Sequence, residues 1–208
     1  MAKLLILGKE TAENVSVAAS KFGADLSLGG DAARIAEADI IFVSAELGLC
    51  ETEKLIAESY AACKTVIVYA KEGAGAVSAS FLDKINYLVC SQSALSALCG
   101  FETKGVESCQ RGARALVEKG AKNVIVTAGR NGAAMAYQDG ETSYPAEYVL
   151  VRDDSGCGEC FAGVFAALIA EGKNVNNAIE MAINAATISV QRPGLCESFP
   201  ARSEVPLW

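Results

Sequence analysis

The sequence predicts an α/β fold, a three-layer α/β/α sandwich around a mostly parallel sheet. Two observations carry this. Short apolar runs alternate with amphipathic stretches almost throughout the chain, and that alternation puts crossover helices on both faces of a parallel sheet. The clear hairpin signal, Gln138-Asp-Gly-Glu141, comes late and joins two short strands. Two glycine loops, Thr127–Gly132 and Gly156–Glu159, each follow a strand-like run. In such sheets ligands sit at the carboxyl ends of the strands.

Taken in order, Lys3–Leu7 is a short buried strand and Glu10–Phe22 a helix that Gly23 closes. Asp25–Leu28 and Asp39–Ser44 are strands, Glu51–Cys63 a helix, and Lys64–Ala70 a β-branched strand. Gly73–Ala76 is a loop, too bare for a phosphate site. Tyr87–Cys90 is a strand, followed by helical segments through Leu98 and from Lys104 to Lys119. Asn123–Thr127 is a strand, and Ala133–Tyr137 pairs with Thr142–Tyr144 across the hairpin. A strand-like run ends in Glu147-Tyr-Val-Leu-Val151, and helices over Cys160–Glu171 and Val175–Val190 complete the pattern.

No linker or repeat divides the chain, so residues 1–208 are predicted to form a single domain, long enough to bury a real core. A hydrophobic content of 51% argues against disorder. A net charge of −7 without any Lys/Arg cluster argues against a nucleic-acid partner. The N-terminal Met-Ala-Lys-Leu-Leu-Ile-Leu-Gly is too short for a signal peptide or a membrane span, so a cytoplasmic protein with no membrane partner is expected. With no histidine, imidazole bases and most zinc ligand sets are excluded. Six cysteines are scattered, mostly on apolar faces, and read as core residues. Cys157 and Cys160 form a Cys-x-x-Cys at a helix start, a placement that lowers thiol pKa values in redox proteins; a dithiol redox role is a third reading of function.

The chain is organised around Asp153-Asp154-Ser155-Gly156-Cys157-Gly158-Glu159-Cys160-Phe161-Ala162-Gly163. Its glycines stand where a loop becomes a helix, so free backbone N–H groups and the helix dipole favour an anion there. Glu159, in the first turn, is placed to take a proton from an attacking hydroxyl. As a bare Gly-x-Gly, the same stretch is equally an ordinary helix start.

This stretch resembles the Asp-Thr-Thr-Gly-Ala-Gly-Asp-x-Phe signature of the ribokinase-like (PfkB) carbohydrate kinases. The resemblance implies that Gly156, Cys157 and Gly158 form the anion hole for a transferring phosphoryl group, with Glu159 at the catalytic base position. Gly120-Ala-Lys-Asn-Val-Ile-Val-Thr-Ala-Gly-Arg-Asn-Gly-Ala133 is similar to the family's nucleotide loop, which implies ATP contacts at Thr127, Gly129 and Gly132. Asn184-Ala-Ala-Thr-Ile-Ser-Val-Gln-Arg-Pro-Gly194 is similar to the family's last helix and turn, with Asn184 near adenine. Family members often bind a monovalent cation such as K⁺ beside the anion hole. The matching positions are Asp153, Ser155, Ser189, Gly194 and Ser198.

Three departures accompany the match. The base is Glu159 rather than Asp. Ser91 and Ala94 replace the Asn-x-x-Glu that helps hold Mg²⁺, leaving the metal chiefly to the nucleotide. The Gly-Gly-Lys-Gly-Ala-Asn sugar motif is reduced to Gly8-Lys9-Glu10-Thr11-Ala12-Glu13-Asn14, and the segments that would form the β lid are missing on both sides of it. A ribokinase-like fold without that lid, and without a lid-mediated dimer, is expected. Glu46 and Lys9 stand by position as candidates for sugar hydroxyls. Two readings of function follow: ATP-dependent phosphoryl transfer to a hydroxyl of a sugar or similar small alcohol, or a catalytically impaired pseudokinase that keeps the fold and nucleotide binding. If the extra methylene of Glu159 limits the rate, Glu159→Asp is expected to raise it.

Overall fold

The computed structural model describes residues 2–29, 32–73 and 77–206. Gly30, after which the second missing lid segment would come, and residues 74–76 of the expected loop lie outside them.

Eight strands form one sheet in the order β2-β1-β3-β4-β5-β6-β7-β8. These are β1 (Leu4–Leu7), β2 (Leu26–Leu28), β3 (Ile40–Ser44), β4 (Thr65–Ala70), β5 (Tyr87–Ser91), β6 (Asn123–Thr127), β7 (Ala133–Tyr137) and β8 (Gly140–Tyr144). Strands β1 to β6 are parallel, while β7 and β8 continue the sheet antiparallel. Among the described residues every strand belongs to this sheet. Among the described residues there are six α-helices, α1 (Glu10–Lys21), α2 (Leu49–Ala61), α3 (Gln92–Cys99) and α4 (Val106–Glu118) between strands, and α5 (Cys157–Ala170) and α6 (Val175–Ser189) after the last one.

Alternation along each strand divides the core in two. On β4, Val66, Val68 and Ala70 face the layer containing α2, α3 and α4, whereas Ile67 and Tyr69 face the layer of α1, α5 and α6. The parallel strands are buried on both faces, which is why they read as continuous apolar runs.

Four expectations are corrected. The run 147–151 is not a strand: Tyr148 and Leu150 are 89% and 83% exposed, and the segment pairs with nothing in the sheet. Helix α5 starts at Cys157, not Cys160, because Gly156 turns the chain at φ 74°, a left-handed conformation that glycine adopts without strain. Strand β8 starts at Gly140, tightening the hairpin so that Tyr137 pairs with Gly140. Of the six scattered cysteines, Cys50 and Cys63 are exposed rather than in the core; Cys90 and Cys109 are buried.

Helix α5 is wedged between α1, α6 and the sheet, and its close approach to α1 depends on Gly163. A Cβ there would run into the Val15 carbonyl oxygen and the Ala18 methyl. Backbone cannot yield as a flexible side chain can, so Gly163→Ala is expected to destabilise the protein by about 1–3 kcal/mol, read as a lower urea midpoint with an unchanged m-value.

Candidate active site

The site lies at the carboxyl edge of the sheet, where the N-terminus of α5 meets the ends of β4 and β6. Gly156 caps α5, its carbonyl accepting from the Cys160 amide at 2.8 Å. The Cys157 amide donates to the Asp154 carbonyl at 3.3 Å, while the Gly158 and Glu159 amides that follow have no intrahelical acceptor. Glu159 is buried, yet its Oε1 receives the Lys71 ammonium at 2.8 Å. Lys71 follows directly on β4, with its side chain 41% exposed against 10% for Glu159. The ion pair therefore fixes a carboxylate that is nearly sealed, through a partner that reaches solvent. Oε2 of Glu159 has no partner among the described residues and is not sealed from solvent.

Beside the α5 terminus is a cavity of about 230 Å³. Thr127, Gly129 and Gly132 of the β6–β7 connection form one wall, Cys157, Gly158 and Phe161 of α5 another, and Val149 and Val151 close it. The loop is tight: the Ala128 amide donates to the Gly132 carbonyl at 2.7 Å, and a Cβ on Gly132 would overlap the Tyr144 carbonyl. Helix α6 presents Ile183, Ala186 and Thr187 to the cavity, and Val190, just beyond its end, joins them. Asn184, half-buried, is not among its lining residues. A broader open cleft, of about 970 Å³, shares Thr127 and Gly129 and runs along α3 past Ser91 and Gln92 to Lys104.

Three of the five expected cation positions are joined directly. Asp153 accepts the Ser155 amide at 3.0 Å and the Gly194 amide at 2.9 Å. Hydrogen bonds from the Ser155 hydroxyl and amide and from Gly194 hold its carboxyl below the usual range. Ser189 and Ser198 donate to local carbonyls, of Ala186 and Leu195. Among the described residues no three His, Cys, Asp or Glu side chains converge as a metal site. Ser91 Oγ accepts the Ala94 amide at 3.2 Å and so caps α3.

The two cysteines of the Cys-x-x-Cys are shaped chiefly by burial. Burial raises the Cys157 thiol, reinforced by the charges of Asp154 and Glu159 and only partly offset by nearby amides. Burial pushes Cys160 up to about 12. Burial thus works against the lowered thiol pKa values that a helix start favours.

Glu46 has a role the sequence did not disclose. It follows β3 and reaches across to α1, accepting the amides of Lys9 at 2.7 Å, Thr11 at 3.1 Å and Ala12 at 3.2 Å. Helix α1 has no side-chain cap of its own, since Lys9 stands at the N-cap, and Glu46 supplies one from outside.

Residues 3–202 match the model of the pfkB family carbohydrate kinases. The chain belongs to that family. It is 34% identical to the deoxyribokinase of Salmonella typhi over 122 residues, which are 59% of this chain and 40% of that protein. Against the ribokinase of Haemophilus influenzae it is 26% identical over 198 residues, 94% of this chain and 64% of that one. The chain thus spans less than two thirds of either relative. Its fold superimposes on ribokinase from Thermotoga maritima with a TM-score of 0.78 at 19% identity, covering 98% of this chain and 93% of that one. The Arabidopsis thaliana ribokinase complexed with ribose and ATP gives 0.76 at 18% identity, covering 97% and 92%. The ribokinase-like fold expected from the motifs is thereby established. In this pfkB chain no helix among the described residues is long and apolar enough to cross a membrane.

The Glu46 bridge makes a pH-dependent expectation. Burial alone would raise its carboxyl, but the Lys9, Thr11 and Ala12 hydrogen bonds outweigh burial and lower it below 4.5. A folded-state value below the unfolded one gives stability that is complete above the unfolded value and lost as pH falls through the folded one. Glu46→Gln is therefore expected to cost about 1–2 kcal/mol at neutral pH. The difference from wild type should shrink as urea titrations move to acid below the usual carboxyl range.

Proposed function

We propose that this chain catalyses ATP-dependent phosphoryl transfer to a hydroxyl of a sugar or similar small alcohol. The observation that carries the reading is the buried Glu159 carboxylate, three residues beyond the Gly156 turn into α5 and held by Lys71 at 2.8 Å. A base fixed beside a cluster of free amides suits a reaction that needs positioning and charge neutralisation more than covalent chemistry. Family membership supports the same reading, and so do the curated relatives, ribokinases and deoxyribokinases, which favour a pentose-class acceptor. Those names lend the impaired-kinase alternative no support.

In this reading the adenine nucleotide enters the cavity between the β6–β7 loop and α6, its phosphates toward Gly156–Gly158. Asn184, which the resemblance puts near adenine, follows the lining residue Ile183 in sequence but is not itself part of the lining. The free Oε2 of Glu159 takes the acceptor hydroxyl's proton, and the amides opening α5 receive the charge on the phosphoryl oxygens. Mg²⁺, when bound, neutralises phosphate charge. Since Ser91 caps α3 and Ala94 carries no carboxylate, the nucleotide's own oxygens would be its main ligands. Structures of neighbours, including a putative ribokinase II from E. coli in complex with ATP and Mg²⁺, motivate testing that pair first. A K⁺ ion near Asp153, Ser155 and Gly194 would rely on backbone carbonyls, because the Asp153 carboxylate already accepts two amides.

The test is sugar-dependent ADP release over a panel of pentoses, hexoses and nucleosides. Glu159→Gln keeps size but removes the base, and turnover is expected to fall by roughly 10²–10⁴-fold. The ion pair reverses the expectation for Glu159→Asp: the shorter side chain withdraws from Lys71, so the rate should fall rather than rise. Wild type releasing no ADP with any acceptor would overturn the reading, and so would Glu159→Gln at undiminished rate.

A further inference from the structure

The Tyr69 hydroxyl is a polar group at this site to which the mechanism above gives no task. Tyr69 is only 3% exposed, and its ring lies 6.3 Å from that of Phe42. Among the described residues its hydroxyl has no hydrogen-bond partner, nor is it one of the sealed, unpartnered atoms, which are Thr52 Oγ1 and Glu58 Oε2. The oxygen therefore ends at the surface of the site. Its location there is specific: it fills the space into which a side chain on Gly158 would project. A buried side chain thus delivers an unpartnered hydroxyl to the second residue of α5, against a helix terminus where Cys157 donates to the Asp154 carbonyl at 3.3 Å but the Gly158 and Glu159 amides have no backbone acceptor among the described residues.

Buried polar groups are paired in the great majority of native structures. At this solvent-open position an acceptor that the free amides and the phenol could share describes an oxyanion. The protonation state fits. Burial, then the charges of Glu159, Cys157 and Cys90, raises the Tyr69 hydroxyl well above its ordinary value, so it stays a donor at neutral pH. Strand geometry explains how β4 supplies it. Residues 67, 69 and 71 share the face toward α5, so Tyr69 meets Gly158 and Lys71 meets Glu159.

We propose that Tyr69 is a catalytic residue whose hydroxyl donates a hydrogen bond to the transferring phosphoryl group, adding a side-chain donor to the backbone anion hole. Tyr69 keeps its proton throughout, and the acceptor's proton goes to Glu159. The proposal rests on the phosphotransfer reading.

Tyr69→Phe tests it, since the ring and its packing are retained; matching circular dichroism and melting temperature confirm the fold. Two readouts are taken: turnover, with kcat separated from acceptor KM, and calorimetric affinity for ADP–Mg²⁺ with and without aluminium fluoride, a mimic of the phosphoryl group in flight. The variant is expected to lose on the order of 10²-fold in kcat with acceptor KM little changed. Its affinity for the fluoride complex should drop about tenfold or more, while that for ADP alone holds. In an active wild type, either readout left unchanged by Tyr69→Phe overturns the proposal. So does a wild type in which aluminium fluoride adds nothing to ADP affinity. A wild type inactive on every acceptor, but with Tyr69-dependent fluoride binding, sinks the transfer reading alone and leaves Tyr69 as the oxyanion donor.

Discussion

Burial of α5 on every side is the constraint from which the site follows. From Glu159 to Ala170 nearly all of its residues are inaccessible, packed by α1, by α6 and by the sheet beneath. A helix apolar all round belongs in a core, and lodging it there leaves its N-terminus no freedom at the sheet's carboxyl edge. The donors that would meet an anion are thus set in place by folding, and no reorganisation is needed when charge develops. Gly156 and Gly163 serve this one element in different ways, the first by turning the chain into it and the second by admitting α1.

Two of the carboxylates at this edge, Glu46 and Glu159, differ in what surrounds them. Glu46 gives both oxygens to backbone amides, and its charge serves to hold α1. Glu159 is engaged at one oxygen only, by an ammonium that itself reaches solvent. A carboxylate saturated by amides is a structural anion, whereas one held by a single partner keeps a lone pair for chemistry. The environment, more than residue type, separates these roles.

Element order and type were readable because helical and strand periods differ so plainly here; β6 and β7 agree with the sequence to the residue. The run 147–151 misled because apolar, β-branched residues look the same whether or not a neighbouring strand accepts them, and pairing is not a local property. The start of α5 was hidden by two glycines, poor helix formers that read as loop. At the site, the glycine turn and Glu159 were legible from their motif. Tyr69 and Lys71 were not, although alternation along β4 fixes which face they share. What they face lies 88 residues further along the chain, in the case of Lys71 and Glu159. Glu46 carried no local signal at all, since its partners lie 34 to 37 residues before it.

Lys21, in the last turn of α1, donates to the carbonyls of Cys196 at 3.1 Å and Phe199 at 2.5 Å, and the Cys196 thiol donates to Asn14 at 3.3 Å. One of the earliest helices is therefore fastened to one of the latest segments, across separations of 175 to 182 residues. During synthesis α1 emerges long before its covering partners, α5 and the segment around 196–199. Its apolar face must wait, exposed or sheltered, while the intervening strands assemble, and such late closure slows folding and invites association of the nascent chain. The order in which the chain is made thus differs from the order in which α1 finds its cover.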